Sequence, residues 1–327
     1  MDFVIVISLK INFIMMKQIF RYGVILLVPV AFFFLTFSGR NEKQKALIPS
    51  QQDSGNIVVR NIPLPVQLTF AGEDVPLQHF DVREALDKEL HINVYWHSST
   101  IFLIKRAARF FPVIEPILAA NNVPSDFKYL AVAESGLQNI VSPSEAAGVW
   151  QLLKPVAREY GLEINEWVDE RYNLEKATEA ACKYLKKAYE QFGSWTLAAA
   201  SYNMGMNGMK RIVENQQQNN YYNLYFNDET ARYIYRILAI KIILENPEKY
   251  GFHIEQKDLY APLEYTLISV DSSIENLASF AASMGTNYKM LKLFNPWLRN
   301  FSLMNKHGKI YYIKIPREGY RETVYQP

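Results

Sequence analysis

Residues 127–134 read Phe-Lys-Tyr-Leu-Ala-Val-Ala-Glu, with Ser135 and Gly136 directly behind. Phe127, Leu130, Ala131 and Glu134 fall on one face at helical spacing, so the carboxyl group of Glu134 shares its face with apolar side chains. Desolvation penalises a carboxylate and raises its pKa from about 4.3 toward neutrality, where the acid form can still donate a proton. The spacing therefore marks Glu134 as a candidate general acid. The same residues also allow a glutamate turned to solvent at a helix end before a glycine cap.

Further blocks follow in order. Residues 146–162 read Ala-Ala-Gly-Val-Trp-Gln-Leu-Leu-Lys-Pro-Val-Ala-Arg-Glu-Tyr-Gly-Leu, residues 169–171 Asp-Glu-Arg, and residues 198–205 Ala-Ala-Ala-Ser-Tyr-Asn-Met-Gly. Together with Glu134-Ser135, this series resembles the lysozyme-like catalytic domain of the lytic transglycosylases of the soluble-lytic-transglycosylase type, nearest to the membrane-bound murein transglycosylase D group. The resemblance runs from about Val82 to Phe252.

The resemblance implies cleavage of the β-1,4 bond between N-acetylmuramic acid and N-acetylglucosamine in peptidoglycan. Glu134 is then the single acid/base, and Ser135, Gln151, Tyr202 and Asn203 contact substrate or the catalytic carboxyl. Ordinary glycosidases need a second carboxylate at a fixed separation. Within the blocks only Glu145 and Asp169-Glu170 offer one, and Asp169-Glu-Arg171 reads as an ion pair or helix start. In lytic transglycosylases the substrate's N-acetyl group and its own C6 hydroxyl replace that partner and leave 1,6-anhydromuramic ends, aided by intramolecular proximity. The bland alternatives are a Ser135 hydroxyl bonded to its own helix and a Trp150 that is core. One departure stands out: the family has Gly-x-Gly after the Asn, whereas Met204-Gly-Met-Asn-Gly208 carries an extra residue, which leaves that cleft wall open. A goose-type muramidase that uses water, and a non-catalytic wall-binding protein, are the competing functions.

The elements that must position these groups are helices. The pattern turns helical at Asp81. Ser99 is the expected N-cap for a helix over 100–111, and Pro112 is expected to start another through Ala120. Pro124-Ser-Asp126 opens the helix that ends in Glu134. A stripe of Thr178, Ala181, Leu185, Ala188 and Phe192 runs up to Gly193, Ser194 caps a helix from Trp195 to Asn203, and Asn227-Asp228 starts a long one that stops before Pro247. Beyond Lys257 come a strand (264–270), helices over 273–284 and 287–294, and a returning strand (309–315). This βααβ order resembles a degenerate LysM cell-wall module, for which glycan binding and mere packing are both open. The expected fold is thus mainly α, with a lysozyme-like domain at 81–256 and a LysM-like module at 257–327.

Composition fits an enzyme of this kind. The chain has 327 residues, 49 % hydrophobic and 14 % aromatic, enough to build a core. A net charge of +2 with evenly spread Lys and Arg argues against nucleic acid. The lone Cys182 reads as a core residue, and His79, His91, His97, His253 and His307 show no ligand spacing, so no metal or cofactor is expected. Lys17 and Arg21 precede an apolar stretch from Val24 to Phe37, which reads as a signal peptide or membrane anchor over 1–39. No cysteine lies there for a lipid anchor. The expected destination is the cell envelope, periplasmic, with peptidoglycan strands as the partner. Residues 40–55 read as a polar tether, and 56–70 as an extended arm lying on the domain surface.

Overall fold

A computed structural model describes residues 60–321. The expected signal segment, tether and first residues of the arm lie outside them. Among the described residues no helix is long and apolar enough to cross a membrane.

The arm ends inside the domain rather than on its surface. Thr69–Phe70 (β1) and Glu73–Asp74 (β2) form a tiny antiparallel hairpin, and Phe70 is fully buried edge-on against Phe127, whose ring in turn meets Trp195. Polar groups lock the turn in place. The Ala71 N–H donates to Asp126 at 2.7 Å, and the buried ammonium of Lys241 spans Asp126 and the Thr69 carbonyl. Both carboxylate oxygens of Glu73 accept from the start of the next but distant helix: the backbone of Trp195 and Thr196 and the hydroxyls of Ser194 and Thr196, the last at 2.6 Å. A carboxylate at a helix N-terminus satisfies orphan N–H groups and complements the dipole. The hairpin therefore ties together the helix that carries Glu134 and the helix that carries Tyr202.

The body is helical. Phe80–Tyr95 (α1), His97–Ala120 (α2), Phe127–Ser135 (α3), Lys154–Glu159 (α4), Leu174–Phe192 (α5), Trp195–Met204 (α6), Met206–Gln216 (α7) and Asp228–Glu245 (α8) surround one apolar core. The caps read from the sequence at Ser194 and Asn227 accept from Leu197 and Thr230 backbone N–H, and Gly136 and Gly193 end their helices in the left-handed region. α2 corrects the expected break. It runs unbroken through Pro112 and Pro116, and Ser99 lies inside its first turn rather than capping it. Each proline removes a helix hydrogen bond at a cost of about 3 kcal/mol. Leu103, Ala107, Ile114 and Leu118 nevertheless form one continuous buried stripe, and its packing outweighs the local penalty. α8 is buried along most of its length and packs on α1, α3 and α6, so it is the central strut.

The C-terminal module has the expected order. Tyr265–Val270 (β3) pairs antiparallel with Tyr311–Pro316 (β4), and Leu277–Ser283 (α9) and Tyr288–Phe294 (α10) lie between them in sequence. α9 starts later than the sequence suggests, because Asn276 accepts from the Ala278 and Ser279 N–H groups while Ser273 is occupied by Asn305. The long 300–308 loop is used to cover that helix start, with Ile274 bridged to Leu303. The module is welded to the segment between α4 and α5. Asp169 N–H donates to Trp297 O at 2.9 Å, Arg299 N–H to Trp167 O at 2.7 Å, and Arg299 lies over the ring of Tyr172. Ala147, Val168 and Tyr172 complete the module's own apolar core.

Glu73→Ala is expected to destabilise the protein by about 2–4 kcal/mol, since four charge-assisted bonds to a helix start vanish at once. Urea unfolding followed by far-UV circular dichroism measures this; a change within error would mean the arm is dispensable.

Candidate active site

Glu134 closes the last turn of α3, and Gly136 lets the chain leave in a left-handed turn. The carboxyl is only partly exposed and is the acceptor for the hydroxyl of Tyr233, which projects from the middle of α8. Enclosure by neighbours pushes its pKa up to about 7. The Tyr233 bond and the charge of Arg236 pull against that rise, and Glu229 adds to it. Burial outweighs the two opposing groups, so near neutral pH a large share of Glu134 carries its proton. Tyr233 itself is buried and held well above the ordinary tyrosine range by desolvation and then by Glu134, so it stays a hydrogen-bond donor.

The loop between α3 and α4 is the second wall. It lacks regular structure, and Leu137, Glu145, Gly148 and Gln151 all have positive φ. Its carbonyl groups are pinned from three sides. Ser135 Oγ donates to Val149 O at 2.7 Å, Tyr202 Oη to Trp150 O at 2.7 Å, and Arg171 Nη1 to Glu145 O and Leu152 O at 2.8 and 3.1 Å. Arg171 is itself held by Asp169, whose carboxylate also caps the short turn at 170–172. A Cβ at Gly148 would run into the Arg171 carbonyl oxygen, and φ there is +81°, so glycine is required twice over. Trp150 is fully buried and donates to Thr178, a core residue and not a sugar platform.

A groove of about 590 Å³ has Gln151, Tyr202 and Asn203 along it. Gln151 sits at φ +47°, strained for a residue with a side chain, and its amide N–H₂ donates to the Ile140 and Gly148 carbonyls, leaving the amide oxygen uncommitted. Tyr202 feels the charge of Glu134 and is held far above its ordinary pKa, chiefly by burial. Asn203 donates to Glu229 and accepts from Thr230 Oγ1 at 2.9 Å, which joins α6 to the start of α8. The Met204-Gly-Met-Asn-Gly208 segment resolves into a helix junction. Gly205, at φ +81°, turns the chain from α6 into α7, and Gly208 lies inside α7 against Met204.

The structure thus brings Glu134 together with Tyr202, and sets Gln151, Tyr202 and Asn203 along one groove. Ser135 is different. It is 5 % exposed, and its hydroxyl is spent on the Val149 and Ala131 carbonyls, so it braces the loop rather than facing the groove. The other carboxylates from the sequence analysis are not partners for Glu134: Glu145 is exposed and pairs with Lys154, Asp169 is committed to Arg171, and Glu170 is committed to Lys176. Sequence reasoning missed Tyr233, Arg236 and Glu229. The signal was present, because Glu229, Tyr233 and Arg236 recur at i, i+4 and i+7 on one face of α8, and a tyrosine and two charges on a largely buried helix need partners.

Residues 111–225 match the family described as the Transglycosylase SLT domain, and residues 266–319 match the Soluble lytic transglycosylase C-terminal LysM-like domain. The helical body therefore contains an SLT domain, and the βααβ module is LysM-like. Over 258 residues the chain is 27 % identical to membrane-bound lytic murein transglycosylase D of Escherichia coli K12, covering 76 % of this chain and 55 % of that protein; the protein of that name from strain O6:H1 gives the same figures. It is 26 % identical over 124 residues to a putative tributyltin chloride resistance protein of Alteromonas sp. strain M-1, covering 37 % of this chain and 60 % of that one. The chain spans little more than half the length of the curated relatives it matches.

Two measurements follow from the geometry. Because the folded pKa of Glu134 lies above its unfolded value, the folded state binds the extra proton. Its stabilising share is complete below about pH 4.5 and is lost as pH rises through about 7. Relative to wild type, Glu134→Gln should gain about 2–3 kcal/mol of stability between pH 4.5 and pH 8; urea melts at the two pH values check this, and an unchanged difference would place the carboxyl in water. Gly148→Ala should cost about 3 kcal/mol or more, read from the same melts.

Proposed function

We propose that this protein cleaves the β-1,4 bond between N-acetylmuramic acid and N-acetylglucosamine in peptidoglycan strands as a lytic transglycosylase, with Glu134 as the single acid/base. The observation that carries the reading is the enclosed carboxyl of Glu134, poised near pH 7 against Tyr233, while among the described residues the nearby carboxylate of Glu229 is bonded to the Asn203 amide. The two family matches and the murein transglycosylase relatives supply the substrate class.

The steps balance without water. Glu134 hands its proton to the glycosidic oxygen, and the N-acetylglucosamine side departs as an alcohol. The N-acetyl carbonyl oxygen of the muramyl residue closes on the anomeric carbon and holds the positive charge. Glu134, now a carboxylate, takes the proton from the C6 hydroxyl, whose oxygen displaces the N-acetyl group and forms the 1,6-anhydro ring. Burial suits both halves of this cycle: a pKa near neutrality makes the acid a ready donor and the carboxylate a competent base. Tyr233 keeps the carboxyl oriented, while Tyr202, with its hydroxyl fixed on the Trp150 carbonyl, and Gln151 and Asn203 form the wall against which the sugar is held.

A hydrolytic, goose-type muramidase reading has one observation in its favour. Glu229 is a second carboxylate close enough to raise the pKa of Glu134, although its side chain is bonded to the Asn203 amide. Mass spectrometry of digested cell wall separates the two, because anhydro-ended fragments are one water lighter than hydrolysed ones.

Wild type should release anhydro-ended fragments, and Glu134→Gln should lower turnover by about 10²–10⁴-fold. Activity should fall as pH rises through about 7, since the donor must be protonated. Tyr233→Phe removes a bond that lowers the Glu134 pKa, so the alkaline limb should move to higher pH. Hydrolysed ends, or a limb indifferent to both substitutions, would overturn the assignment.

A further inference from the structure

A second groove, of about 350 Å³, is lined by Arg106 from α2, Arg232 and Arg236 from α8, and Ser135, Gly136 and Gln138 directly after Glu134. Arg232 is paired with Glu89 at 2.6 Å. The other two arginines have no such partner: among the described residues neither donates a hydrogen bond nor makes an ion pair. The Nε of Arg106 is out of water and unsatisfied. Burial works against the Arg106 charge, the strain expected of a cation waiting for a counter-ion. A Cβ at Gly136 would lie in ordinary contact with Arg106 Nη2, at 3.6 Å, which places that guanidinium beside the turn that follows Glu134. Arg236 stands near enough to Glu134 to lower its pKa.

Two unpaired guanidinium groups beside a proton donor, with one neighbouring carboxylate already taken by a third, form a cradle for an anion. The planar fork of arginine suits a carboxylate, which it can hold by two parallel bonds. On a strand of N-acetylated aminosugars the carboxylates hang only from the muramyl residue, either on its lactyl ether when bare or on the peptide attached to it.

We propose that Arg106 and Arg236 form a carboxylate-binding subsite that grips the acidic substituent of the muramyl residue and so sets which sugar faces Glu134. This rests on the peptidoglycan reading above. It gives the site a rule that neutral contacts cannot supply: a strand slid by one sugar would leave both half-buried cations without a counter-ion.

The test is binding to the full chain carrying Glu134→Gln, so that no turnover is needed, by calorimetry with three soluble strands. One bears intact peptides, one is stripped to the free lactyl carboxylate, and one bears peptides whose carboxylates have been amidated. Amidation should weaken binding about tenfold. Arg106→Gln and Arg236→Gln should each bring the carboxylate-bearing strands down to the amidated level and leave the amidated strand unchanged, with melts confirming that the variants fold. Arg106→Lys, which keeps charge but loses the fork, should fall between. The strand that loses affinity on substitution, peptide-bearing or stripped, identifies the source of the carboxylate. Amidation without effect, or equal weakening of charged and amidated strands, overturns the subsite while the transglycosylase reading stands. Failure of every strand to bind would sink the peptidoglycan reading, and this proposal with it.

Discussion

A carboxyl group kept largely from water is unstable as an anion, and everything around Glu134 answers to that constraint. Burial lifts its pKa to about 7, and two neighbours, Tyr233 and Arg236, keep it from rising further. Without the burial, Glu134 would be ionised at neutral pH; without the two neighbours it would hold its proton more tightly still. The balance requires that α3 end at the right place and that α8 pass behind it. Those two helices are among the most firmly packed pairs in the molecule, and Lys241 with Asp126 adds a polar clamp at the far end of the same contact.

The irregular loop over 140–152 faces a different problem. Short bridges at 141, 147 and 152 pair only some of its backbone groups, and unpaired polar groups away from water are costly. Ser135, Tyr202 and Arg171 each take one or two of them. The residues that resemble a substrate-binding set are thus partly structural. Ser135 spends its hydroxyl wholly on the loop and its own helix, and Tyr202 uses its hydroxyl to hold the loop while it feels the charge of Glu134. A site whose wall is held by the residues that line it has little freedom to widen.

The segment at 163–175 carries both the Asp169–Arg171 pair that pins this loop and most of the surface on which the LysM-like module sits. Tyr311 and Lys309 bond to Glu163, and Lys314 pairs with Glu175 at 2.5 Å. The module is therefore seated on the bracket behind the loop. Backbone bonds at Trp167 and Asp169 join the module to that bracket.

Local rules carried the sequence reading a long way. Helix caps at Ser194 and Asn227, the glycine ends at 136 and 193, the βααβ order and the candidate acid all follow from spacing and residue type, because each depends on groups within a few positions of one another. The misreadings were of one kind. The prolines of α2, the start of α9, the fate of Phe70 and the duty of Ser135 were settled by partners far away in the chain. The sequence by itself determined which carboxyl could become an acid and which helix would carry it. Only the tertiary structure decided that its carboxyl is held against Tyr233, 99 residues further on, with the charge of Arg236 nearby, since desolvation and charge pairing are properties of whatever the fold brings within a few ångströms.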